Sequence, residues 1–74
     1  MSEQYQAMLA EWRHAVEQAR EAEQALSDAF EAYTRNAGPA PTEQQYGLVR
    51  QRRAIAEQKL GAAMQYVKQV TGRA

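Results

Sequence analysis

The chain has no cysteine. That removes a disulfide framework and any thiolate metal site from consideration. The absence is compatible with any compartment and leans towards a reducing one. No stretch approaches ~18 uninterrupted apolar residues, so no membrane span is expected. The opening residues MSEQYQAMLAEWRH have no basic segment leading into an apolar run. A secretion leader is therefore not expected, and a cytoplasmic location is. Net charge is also missing: nine basic residues cancel nine acidic ones. The long-range field for phosphate is correspondingly weak. Proline is scarce, and both copies, Pro39 and Pro41, stand in the segment NAGPAPTEQQ at residues 36–45.

With 74 residues there is room for one small domain, whose own core will be modest. What fills it is helical in period. Apolar residues recur in steps of three and four from Tyr5 through Met8, Leu9, Trp12, Ala15, Val16, Ala19, Ala22, Leu26, Ala29, Phe30 and Tyr33. At about 100° per residue they share one arc of roughly 160°. The second half repeats the pattern from Leu48 and Val49 through Ile55, Ala56, Leu60, Ala63, Tyr66, Val67 and Val70. The expected fold is all-α: an antiparallel two-helix hairpin, coiled-coil-like, dimerising into a four-helix bundle. As a single domain over 1–74, it has helix 1 at about 3–35, a turn at 36–41 and helix 2 at about 42–71.

The scarce prolines are punctuation. Asn36 or Gly38 can take the left-handed conformation that ends helix 1, and Pro39 cannot continue it. Thr42 is the expected N-cap of helix 2, with Gln45 completing a capping box and Pro41 placed to staple against Tyr46. Ser2 suits the N-cap of helix 1, and Gly72 marks the end of helix 2. A connection this short joins antiparallel neighbours, so paired residue numbers should sum to about 77. That register sets Tyr33 by Tyr46, Leu26 by Gln51 and Arg52, Val16 by Leu60 and Trp12 by Met64 to Tyr66. It also puts Glu23 near Arg52 or Arg53, and an intramolecular ion pair is expected there. Charge supports the pairing: residues 2–35 hold seven acids and three bases, residues 42–74 two acids and six bases.

The apolar stripes are wider than a two-helix seam needs. The interaction face expected from them comprises Leu9, Trp12, Val16, Leu26, Phe30, Tyr33, Leu48, Ile55, Leu60 and Tyr66. A second copy of the chain, or else a different helical protein, is expected to cover it. Gly61 falls away from the seam, as a tolerated surface glycine or a point of close approach by another chain.

Motifs for chemistry are thin. Glu11 and His14 have the Glu-x-x-His spacing of di-iron carboxylate bundles, but the register faces them with Ala63 and Met64, and Glu57 points outward. The cluster Arg50 to Arg53 radiates around a helix and forms no stripe. There is no glycine-rich phosphate loop, nucleophile elbow or Cys–His pair. No enzyme activity, cofactor, metal or small-molecule substrate is expected, and no membrane binding. The expected function is a protein–protein interaction module, adaptor- or chaperone-like. The alternative is a nucleic-acid-binding regulator built as a dimer of helical hairpins. In size and mid-chain turn the chain is similar to type III secretion needle subunits and to secreted WXG-type hairpins. It carries neither family's turn motif, the turn here being NAGPAP and the Trp standing at position 12, so no residue role is carried over.

Overall fold

A computed structural model describes residues 3–72. It consists of two helices, α1 (Glu3–Thr34) and α2 (Glu43–Thr71), packed against each other as a hairpin. The rod they form measures 59 × 17 × 14 Å. The Ser2 cap expected from the sequence lies outside the described residues. Among those described, no helix is long and apolar enough to cross a membrane.

The ends of the helices follow from local chemistry. Asn36 adopts a positive φ of 56°. The Asn36 N–H then donates to the Tyr33 carbonyl at 3.0 Å, and the Ala37 N–H to the Ala32 carbonyl at 2.7 Å. These two bonds satisfy carbonyls that the last turn of α1 would otherwise leave open. Of the two candidates for the left-handed residue, Asn36 holds it. Gly38 has no positive φ and packs instead beside α1, where a Cβ would stand 3.4 Å from that of Ala32. At the start of α2, Gln45 N–H donates to Thr42 Oγ1 at 3.2 Å and Thr42 N–H to Gln45 Oε1 at 2.9 Å. This is the reciprocal capping box. Gly72 closes α2 with a right-handed φ of −71°.

Five of the described residues are buried: Ala15, Ala19, Ala22, Ala56 and Ala63. All are alanines, and Ala15/Ala22 and Ala56/Ala63 are seven residues apart, the spacing at which a side chain returns to the same seam. Alanine at the contact lets the backbones approach to the short end of the usual helix–helix distance. The consequence is a seam that buries no larger side chain among the described residues. Trp12, Val16, Leu26 and Ile55 are only half-buried, and Phe30, Leu48, Leu60, Met64, Val67 and Val70 are exposed.

A uniform register sum of about 77 does not describe the pairing. On one flank of the seam Glu23 meets Arg53 and Phe30 meets Tyr46, each pair summing to 76. Tyr5 stacks on Tyr66 with ring centroids 6.0 Å apart, and Glu11 meets Lys59, sums of 71 and 70. Two effects cause the difference. Side chains on opposite flanks of an antiparallel pair reach past each other by different amounts, because each leans towards its own N-terminus. The linker also doubles back along α1: Gly38, Pro39 and Ala40 share a groove with Ala29 and Ala32. Three expectations change as a result. Tyr46 packs edge-on against Phe30 at 5.9 Å and not against Tyr33. Tyr33 lies about one turn beyond Phe30 and is 51% exposed. Glu11 and His14 face Arg52, Ile55 and Lys59, not Ala63 and Met64.

Candidate interaction surface

The two flanks of the seam differ in chemistry. The first, the apolar flank, carries Leu9, Trp12, Val16, Glu23 and Phe30 from α1. From α2 it carries Tyr46, Arg53, Leu60, Met64 and Val67. On each helix these positions lie about 40–100° to one side of the buried alanines at 100° per residue. Two observations place the helices' contributions side by side: the Phe30–Tyr46 ring contact near the turn, and a groove near the open end lined by Leu9, Leu60, Met64 and Val67. Trp12 and Val16 line a further shallow groove with Arg20.

One charged pair interrupts this flank. The Arg53 Nε donates to Glu23 Oε2 at 2.7 Å, and Nη2 stands 2.5 Å from the same oxygen. Arg53's side chain is 59% exposed and that of Glu23 35%. In isolation a pair this accessible stabilises the hairpin little. Its place is the informative part: apolar side chains lie on both sides of it along the rod.

The second flank is polar. Glu11, His14, Gln18, Arg52, Ile55 and Lys59 line a groove of about 230 Å³. Lys59 Nζ stands 3.4 Å from Glu11 Oε1. His14 is exposed. Among the described residues no group of three or more His, Cys, Asp or Glu side chains could hold a metal ion. The Glu11/His14 pair thus opens onto two cations, Arg52 and Lys59, and no further carboxylate converges on it.

The ten residues expected to form one interaction face therefore divide. Leu9, Trp12, Val16, Phe30 and Leu60 belong to the apolar flank. Ile55 lines the polar groove, and Leu48, seven residues before it, lies on that side. Leu26 follows the buried alanines along the seam, half-buried. Tyr66 is taken up by Tyr5, and Tyr33 stands exposed at the turn end. Sequence reasoning left Met64 and Val67 out of the face. The step Leu60–Met64–Val67, four then three, was the available signal. Met64 is nonetheless the most exposed large apolar side chain described, at 62%.

Three of the described basic residues stand against a carboxylate. Arg53 is held by Glu23, Lys59 by Glu11, and Arg50 stands 3.8 Å from Glu43. At about 100° per residue Arg50 and Lys68 share one direction around α2 and Arg53 lies about 60° from it, but about 27 Å of axis separates Arg50 from Lys68 and the acidic Glu57 falls between them, so the basic positions are sparse and interrupted.

No protein-family model, no curated protein and no solved structure matches the chain.

Proposed function

We propose that this chain is a non-enzymatic protein–protein interaction module that associates with itself, two hairpins packing through their apolar flanks into a four-helix bundle. One observation carries the reading. The buried core consists of alanines alone, and every large apolar side chain described remains partly in water. The surface area says the same in numbers. A compact monomer of 8.4 kDa is expected to expose about 4,600 Å², whereas this chain exposes 5876 Å². The surplus, about 1,250 Å², exceeds the ~800 Å² that each partner contributes to a standard stable interface. A second hairpin laid along the apolar flank would remove a surplus of that size.

The nucleic-acid alternative has less support: nine basic residues are cancelled by nine acidic ones, and a phosphate-binding surface needs a coherent excess of cations. The test is solution mass by light scattering, from low micromolar to near-millimolar chain. Self-association predicts twice the 8.4 kDa chain mass, with dissociation on dilution. A monomer at every concentration overturns it and leaves the flank for a different helical protein.

A further inference from the structure

Two hairpins can meet flank to flank in two symmetric ways. In one, both turns lie at the same end of the bundle and α1 of each copy covers α2 of the other. In the second, the turns lie at opposite ends and α1 covers α1. We infer that the occupant of the apolar flank is a second copy in the turn-to-turn orientation, with Glu23 and Arg53 of the two copies closing a four-charge ring across the interface. This rests on the self-association proposed above and specifies its geometry.

Three observations favour this orientation. The first is charge. Helix α1 carries seven acidic and two basic residues, and α2 two acidic and five basic. Turn-to-turn docking sets every α1 beside two copies of α2, whereas the other orientation sets acidic against acidic and basic against basic. Like-charge juxtaposition of this kind discriminates strongly between arrangements.

The second is the position of the ion pair. Glu23 and Arg53 lie at one level of the rod, displaced towards the turn from the middle of each helix. Turn-to-turn docking brings all four groups to that level, alternating in sign, so each carboxylate lies between its own Arg53 and Arg53 of the second copy. The opposite orientation, with helix midpoints aligned, separates the two pairs by about 13 Å along the axis at 1.5 Å per residue. Each pair then presses on the other copy's apolar side chains and loses water without gaining a partner. Sliding the copies to bring the pairs level sets Glu23 against Glu23.

The third is side-chain type. Phe30 and Tyr46 stand at the turn end of the flank, Leu9, Leu60, Met64 and Val67 at the open end. Turn-to-turn docking gathers four aromatic rings in one layer and the flexible aliphatic chains in another.

A thiol introduced at Ala40, exposed in the turn, is unique because the chain has no cysteine. Two copies of Ala40→Cys carrying nitroxide labels should lie on the order of 20–30 Å apart, given packed helix spacing of about 10 Å plus the label arms. A separation near the 59 Å rod length in a dimeric sample overturns the orientation while leaving self-association intact. A chain that stays monomeric overturns the self-association itself. For the ring, Glu23→Arg should weaken the dimer at least about tenfold, and Glu23→Arg with Arg53→Glu should restore it. If Glu23→Arg loses helicity, the shape-preserving Glu23→Gln carries the same test with a smaller expected loss. A short label distance with unweakened Glu23→Arg or Glu23→Gln dimers overturns the ring.

Discussion

Replacing Gly61 with alanine probes the edge of the open-end groove, which Gly61 lines with Leu60, Met64 and Val67. Gly61 lies in the helix interior and is exposed, and a Cβ built there meets nothing within 4 Å. Alanine should therefore gain its full advantage in helix propensity, about 0.8–1.0 kcal/mol. At about 2.1 cal/mol/K per residue, a chain of this length has an unfolding entropy near 0.16 kcal/mol/K, so Tm should rise by about 5–6 °C. In a dimer both copies carry the substitution and both unfold, so the shift is the same. The assay is far-ultraviolet circular dichroism during heating. Chain concentration must be fixed, because association makes Tm depend on it. A lower Tm, or a fall in mass with helicity intact, would refute the reasoning. Either would mean that another backbone approaches the Gly61 edge of the open-end groove so closely that one methyl group cannot be admitted.

Other substitutions test the hairpin itself. Ala19→Leu forces a large side chain into a position 2% exposed and should cost about 1–3 kcal/mol in a urea titration. Thr42→Ala removes the capping box at the start of α2 and should cost about 1 kcal/mol by the same measurement. Asn36→Val places a β-branched residue at φ 56° and should destabilise by about 1–2 kcal/mol, while Asn36→Gly should be tolerated. Lys59→Ala breaks a 3.4 Å contact between two well-exposed side chains, so stability should change by no more than about 0.5 kcal/mol.

Local chemistry was legible in the sequence. Thr42 and Gln45 specify a cap at a spacing that only a helix start uses, and Asn36 before a proline-containing turn stops α1. Both signals act over a few residues and are insensitive to the rest of the molecule. The apolar stripes likewise gave two helices and the direction of the seam. Lateral assignment was harder. A stripe about 160° wide contains the seam and both flanks, and periodicity alone does not say which residues the partner helix takes. Burial by five alanines decides it, pushing Leu60, Met64 and Val67 outward. Register was the other weak point. One sum cannot serve two flanks: a sum of 77 lands within a residue of the Glu23–Arg53 pair and misses the Glu11–Lys59 pair by seven.

The rod's proportions have a consequence for scattering experiments. A compact chain of this length would have a radius of gyration near 11 Å, whereas the Cα atoms here give 17.1 Å. That value is set almost wholly by length. Laying a second rod alongside, about 10 Å away, raises it only to about 18 Å. Joining two rods end to end would about double it. Small-angle X-ray scattering would thus register lateral pairing as a doubling of forward intensity with scarcely any change in the Guinier slope. The hairpin grows in thickness, where it is thin, and its reach along the axis stays that of a single chain.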